Sequence, residues 1–297
     1  MSDIAVAPPV GPEAPATPKL RRVVLYRTPL WVRIWHWINA LSLFFLLVSG
    51  LQIFNAHPAL YWGQAAIFNH PILAMQGVPT SGGLRGYTTA FGHSFDTTGL
   101  FGASKYQGQL VRRGFPSWLT IPANRDLANG RRWHFFSAWA FAINGAAYFL
   151  YILIGRHLRK DLWPTTEDLR AIRQSIIDHI LFRHPHGEAA ARFNVLQKLA
   201  YLTVLLLLLP LMILTGLTMS PGMDAAFPIL PWVFGGRQSA RTIHFICAWS
   251  IVGFFAIHIF EVFAAGFFNE MRSIVTGRFA IKVPADAPPV AGEGAAR

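Results

Sequence analysis

Residues 242–260 read TIHFICAWSIVGFFAIHIF, a stretch with no Asp, Glu, Lys or Arg and with two histidines, His244 and His258. A run of this length suits a helix crossing a hydrocarbon core, which takes about 20 residues. Inside lipid the backbone must satisfy its own hydrogen bonds, and a helix does so. At about 100° and 1.5 Å per residue, the step from His244 to His258 closes to within about 40° of four full turns and rises about 21 Å. The two imidazoles therefore share one face, near opposite ends of one span. An ionisable group placed there is costly and marks function.

Working outward, three more segments have the length and lack of charge to span: Ile34–Phe54, Trp133–Ile154 and Leu199–Met219. Pro210 is expected to kink the third, because it removes an amide donor and crowds the preceding turn. The whole composition agrees. Of 297 residues, 53% are hydrophobic and 13% charged, about half the charge of a soluble domain. The one cysteine, Cys247, excludes an intrachain disulfide, a Cys-ligated iron–sulfur cluster, a four-Cys zinc site and covalent c-type haem. The expected fold is an all-α membrane protein, a four-helix transmembrane bundle with a long extracytoplasmic loop, 55–130, between helices 1 and 2. Residues 55–84 carry no charge but contain Pro58, Pro71 and Pro79, so they read as a loop or interfacial segment rather than a span.

Residues 1–22, Pro/Ala-rich over most of their length, read as a disordered cytoplasmic tail, 23–279 as the membrane domain and 280–297 as a second cytoplasmic tail. The basic cluster from Lys19 to Arg33 follows the first tail and precedes a full-length span, unlike a cleavable signal. The two chain ends and the 156–198 loop hold 17 lysines and arginines, against Arg237 and Arg241 in the short 220–241 loop. Positive residues stay inside. Both termini are thus expected in the cytoplasm of a multi-pass protein of a bacterial inner membrane. The net charge of +12 reads as basic flanks of spans, with no nucleic acid as partner.

Of the eleven histidines, His57, His70 and His93 fall in the outer loop and His157, His179, His184 and His186 at or in the basic inner loop, where solvated surface is the ordinary reading. Four fall within the spans. His36 opens the first on the inner side and His258 lies at the same depth; His134 opens the second on the outer side, level with His244. Two bis-imidazole pairs follow, His36 with His258 and His134 with His244. A cofactor that takes one imidazole on each axial side and needs an apolar bundle is b-type haem, held non-covalently. Zinc takes four ligands, and each pair supplies two. Arg33, Arg132 and Arg241, with Arg131, lie within a turn of these histidines and are candidate partners for haem propionates; marking the lipid boundary is the plainer alternative. Asn39 lies one turn from His36 and reads as helix packing. Glu261 reads as a helix end at the lipid boundary, with a proton relay to quinone as the alternative. The tryptophans at the spans read as interfacial anchors or packing.

The opening Arg33-Ile-Trp-His36-Trp-Ile-Asn-Ala40 resembles that of the bacterial cytochrome b561 superfamily, which includes the cytochrome b subunits of Ni,Fe-hydrogenase and formate dehydrogenase. Arg241-Thr-Ile-His244 followed by His258 is similar to its fourth helix. His57-Pro-Ala-Leu-Tyr-Trp-Gly63, Gly130-Arg-Arg-Trp-His134-Phe-Phe and Gly236-Arg-Gln-Ser-Ala-Arg-Thr-Ile-His244 resemble its thiosulfate-reductase-type branch. The likeness covers roughly residues 23–279. It implies two b-type haems, His36/His258 holding the inner and His134/His244 the outer one. It also implies electron transfer between membrane quinone, the substrate, and an extracytoplasmic oxidoreductase subunit, a molybdopterin-dependent one in many relatives. The 55–130 loop exceeds the family core and, with the 220–241 loop, is expected to dock that partner. Two rival functions stay open: a stand-alone superoxide/quinone oxidoreductase of the same fold, and a haem-free transporter or proton-conducting bundle.

Overall fold

The computed structural model describes residues 19–155, 158, 162–181 and 194–290. The expected tail over 1–18 and the expected surface positions of His157, His184 and His186 lie outside the described residues.

Among the described residues four helices are long and apolar enough to cross a membrane: Leu30–Phe54, Leu127–Ile154, Val195–Thr218 and Arg237–Thr276. The second and third begin six and four residues before the apolar runs that announced them, because a charged or polar first turn does not end a helix when it is capped. Asp126 accepts from the Asn129 amide at 3.0 Å, and Asn194 forms a capping box with Gln197, satisfying amides that have no partner in the helix. Large apolar side chains cover the outside of the bundle: Leu41, Phe44, Phe136, Trp139, Ile143 and Ile257 are all exposed, as lipid-facing residues must be. The first span packs along the second and the third along the fourth, while first and fourth touch sparingly.

Pro210 disturbs the third span, one turn earlier than its own position. Val204–Leu208 is wound as a π-helix, which absorbs the missing donor without breaking the span.

The fourth helix runs to Thr276 with 40 residues, about 60 Å of rise and so twice a hydrocarbon core. Gly266 interrupts it with φ 110° and ψ 85°, a conformation open to glycine. Glu261 therefore does not end the helix, contrary to expectation. Beyond the interruption the last turns lie against the start of the first span: Arg27 pairs with Glu270 at 3.3 Å, Thr28 bonds Ser273 at 2.9 Å, and Arg33 Nη1 donates to the Val275 carbonyl at 2.7 Å. Gly277 caps this helix in the left-handed region and turns the chain into a strand.

That strand, Arg278–Pro284, pairs antiparallel along its full length with β1, Leu20–Tyr26. Val23, Leu25, Phe279, Ile281 and Val283 form a small core between them. The boundaries drawn at residues 22 and 280 thus fall inside an ordered two-stranded sheet. It places both flanks of the membrane domain at the same end of the bundle.

The 55–126 region departs most from an all-α reading, since it is built of strands. After β1 in chain order come β2 (Ala59–Leu60), β3 (Leu73–Thr80), β4 (Gly83–Ala90) and β5 (His93–Asp96), which form one antiparallel sheet, and β6 (Gly102–Tyr106) and β7 (Gln109–Arg113), which form a hairpin. Turns at Phe91-Gly92 and Gln107-Gly108 have positive φ at both central residues, which matches the twist of the paired strands. Hairpin and sheet meet backbone to backbone: a Cβ on Gly86 would lie 2.2 Å from the Phe101 carbonyl oxygen. Arg113, 2% exposed, fastens this strand-built domain to the bundle. Its guanidinium donates to the Ala123 carbonyl at 2.7 Å and to Thr120 Oγ1 at 3.0 Å. It also reaches Gln52 in the first span.

Candidate functional site

The fold brings together the residues paired by depth. His36 and His258 have ring centroids 6.4 Å apart with planes at 56°. His134 and His244 are also 6.4 Å apart, with planes at 58°. No hydrogen bond joins the rings of either pair among the described residues. Two metal–imidazole bonds of about 2.0–2.1 Å, plus the distance from each ring centre to its nitrogen, sum to roughly 6.3 Å. The spacing therefore fits two imidazoles reaching one atom from opposite sides. Among the described residues no three His, Cys, Asp or Glu gather as a metal site, so each pair offers two ligands, as an axial haem arrangement needs.

The surroundings of the two pairs differ. At the His134/His244 pair, His134 Nδ1 is 3.1 Å from Ser49 Oγ and 3.2 Å from the Leu46 carbonyl oxygen. His244 Nδ1 is 3.0 Å from Thr215 Oγ1. Glycines follow both hydroxyls. A Cβ on Gly50 would lie 3.3 Å from His134 Cε1, and one on Gly216 3.6 Å from His244 Cε1. At the His36/His258 pair, His36 Nδ1 is buried with no hydrogen-bond partner among the described residues, and His258 lies under the Phe254 ring at 5.9 Å, stacked at 11°. Ser49, Gly50, Thr215 and Gly216 were missed in the sequence. Their signal was present as two hydroxyl–glycine dipeptides inside otherwise apolar runs.

The candidate propionate partners have other occupations. Arg33 donates to the Val275 carbonyl near the end of the fourth helix, where a cation is favoured, and its Nε is buried with no hydrogen-bond partner among the described residues. Arg132 is exposed and reaches Asn129 at 3.4 Å. Arg131 lies over the Phe135 ring at 5.5 Å. Arg241 lies over the Phe54 ring at 5.3 Å and donates to the His57 carbonyl. Asn39 accepts from Asn144 at 2.8 Å, and Asn144 also reaches the Trp35 carbonyl, so this pair ties the first and second spans together beside His36.

Two of the quoted sequence motifs touch each other. Segment 57–64 sits on the start of the fourth helix: Thr242 Oγ1 donates to the Tyr61 carbonyl at 2.7 Å, the Gly63 amide to Ser239 Oγ at 2.8 Å, and the Arg237 amide to Gln64 Oε1 at 3.0 Å. A Cβ on Gly236 would fall 2.5 Å from the Gly63 backbone. His57, read as solvated, is half-buried and stacked on Tyr61 at 5.7 Å. Burial, then the charge of Arg241, pulls its pKa below 6.5. His179, also read as solvated, is half-buried; its Nδ1 lies 2.8 Å from the Ser175 carbonyl and its Nε2 3.4 Å from Asn194 at the start of the third span.

Residues 27–277 match the family described as prokaryotic cytochrome b561. The chain belongs to that family. It is accordingly a multi-pass membrane cytochrome of the haem-b, electron-transferring kind, and its four spans are those of a cytochrome b561 bundle. A relative from Azospira oryzae, named as a protein-methionine-sulfoxide reductase subunit, YedZ1, is 23% identical over 231 residues, covering 78% of this chain and 87% of that one. No solved structure matches the chain.

Proposed function

We propose that this chain is a diheme cytochrome b that carries electrons between membrane quinone and an extracytoplasmic oxidoreductase. The observation that carries the reading is the repetition of one imidazole spacing at both ends of one bundle. His36 and His258 would hold the inner haem, His134 and His244 the outer. A b-type haem, when bound, supplies one-electron exchange at its iron. The chain itself would supply axial nitrogens on rigid helices and an apolar bundle that excludes water, while Arg33, Arg132 and Arg241 would serve the anionic edge by exchanging the partners they hold here for a propionate. The basic flanks, together with the β1 pairing that brings them to one end, support an inner-membrane protein with both termini cytoplasmic and the strand-built domain outside.

The partner reading follows from that orientation. The strand-built domain presents exposed Lys105, Arg112 and Arg125, with Arg85 paired to Asp96, and together with the 220–241 loop it would offer a partly basic docking surface. A partner with an acidic docking face fits it. Family resemblance favours a molybdopterin enzyme, and the named relative makes a methionine-sulfoxide-reducing one a candidate. Charge reversal at Lys105, Arg112 and Arg125 should weaken coupling to the partner while haem content holds; unchanged coupling would remove this assignment.

The diheme reading is tested by the dithionite-reduced minus oxidised spectrum of purified protein with haem counted per chain. Two haems in wild type falling to about one in His258→Ala is the expected result. A well-folded, haem-supplied wild type without haem would leave the transporter reading in its place.

A further inference from the structure

We propose that Ser49 and Thr215 are positioning residues that fix the tautomer and ring plane of His134 and His244, giving the outer pair stronger donor character than the inner one. The inference rests on the diheme reading and deepens it.

The argument is one of hydrogen-bond capacity. A hydroxyl has a single proton to give. Ser49 Oγ gives its proton to the Phe45 carbonyl one turn back, and Thr215 Oγ1 gives its own to the Leu211 carbonyl. Toward the imidazoles both oxygens can then only accept. His134 Nδ1 and His244 Nδ1 must each carry a proton, which the second contact of His134 to the Leu46 carbonyl also requires. That leaves Nε2 of both rings as the lone-pair nitrogen. Both rings are thus set in the form that binds iron through Nε2 before any ligand arrives.

Among the described residues nothing equivalent supports the inner pair, where His36 Nδ1 is buried and without a hydrogen-bond partner. Donation of the distal N–H to an acceptor raises the basicity of a ligating imidazole and fixes its orientation. A more basic axial pair favours the oxidised iron. The outer site should have the lower midpoint potential for this reason. The arrangement is repeated in the two halves of the bundle: Ser49-Gly50 of the first span serves a histidine of the second, and Thr215-Gly216 of the third serves one of the fourth. The glycines leave the rings room to lie against these helices.

The test uses the haem-loaded full chain in detergent, comparing wild type with Ser49→Ala, Thr215→Val and the conservative Ser49→Thr and Thr215→Ser. Haem per chain, midpoint potentials by redox titration and low-spin electron paramagnetic resonance g-values are read. His36→Ala, which keeps only the outer haem, assigns the components. The expected result is an upward shift of the outer component by about 59 mV, a tenfold change in its one-electron equilibrium, with the inner component fixed and with wild-type values in the conservative variants. Selective loss of the outer haem in Ser49→Ala, rescued by Ser49→Thr, supports the same role. Unchanged potentials and g-values in both loaded variants overturn it. Failure of the diheme reading would look different, since His134→Ala would then leave haem content unaltered.

Discussion

Arg241, in the second turn of the fourth span, donates to the backbone carbonyl of His57, which stands just past the end of the first span. One side chain thereby ties the entrance of the strand-built domain to the helix that carries both His244 and His258. The surrounding contacts have the same effect, since Thr242 and Ser239 bond the same segment at Tyr61 and Gly63. The strand-built domain is therefore fixed relative to the His134/His244 pair, as the proposed docking surface would need.

Arg241→Ala should loosen this joint. A half-buried, charge-assisted hydrogen bond contributes about 1.5–3 kcal/mol, and the lost contact with the Phe54 ring adds to the cost. Tryptophan-monitored unfolding should show the destabilisation, and Arg241→Lys should recover part of it, because a lysine supplies the charge without the planar fork.

Acid should act on the same joint through His57. Its pKa in the fold lies below 6.5 because burial, and secondarily Arg241, disfavour the imidazolium. A lowered folded pKa gives a stability contribution that is present above the unfolded value and lost as pH falls from there through the folded value. Hydrogen exchange in segment 57–64 should thus be slow at pH 7.5 and faster, after correction for intrinsic rates, as pH falls below 6.5. His57→Gln should flatten the dependence. Equal protection at both ends of the range in wild type would refute the assignment to His57.

Much of the membrane domain was legible because lipid imposes one rule on every span. Runs free of charge had to be helices, and histidines inside them could be paired by depth and phase alone. His36, His134, His244 and His258 all meet the partners so deduced. What escaped notice had competing signals. Glu261, Asn269, Glu270 and Arg272 end the apolar run after Phe260, yet the helix continues because Gly266 redirects it onto the first span. Residues 55–126 lacked a long alternating pattern, and prolines masked strands that two-residue turns such as Gln107-Gly108 mark. Ser49 and Thr215 looked like minor polar interruptions until the geometry set them against imidazole nitrogens.

Asp96 should be the acid-sensitive element of the outer domain at lower pH. Its carboxylate accepts from the Thr98 hydroxyl and amide and from Arg85 at 2.9 Å, which holds its pKa down at about 2. The contribution is fully present above the ordinary carboxylate value near 3.8 and is lost as pH falls through about 2. Asp96→Asn should remove that dependence, read as exchange of the β4 and β5 amides from pH 5 down to 2.

Arg113 should be more sensitive than any surface arginine. Its guanidinium is buried among neutral acceptors, the Phe115 and Ala123 carbonyls and Thr120. Arg113→Met would leave those groups without a donor at a cost of at least about 3 kcal/mol, several charge-assisted bonds being lost together. The expected outcome is rapid proteolytic cutting within residues 80–125 while the spectrum of bound haem persists, because the imidazole pairs are built by the spans.

The interruption at Gly266 is the last feature that a single substitution can probe. An alanine there must either adopt a backbone with φ of 110°, at a cost of roughly 1–2 kcal/mol or more for a residue with a Cβ, or restore regular helix. Regular helix would carry residues 267–276 away from the first span and break the Arg27–Glu270 pair and the Arg33–Val275 hydrogen bond. Spin labels at exposed Val24 and Val275, with Cys247 replaced by serine, should report a longer or broader distance in Gly266→Ala than in the parent. His258 lies eight residues earlier on the helix, so haem content should hold. An unchanged distance would mean that packing against the first span, rather than the glycine, sets the bend.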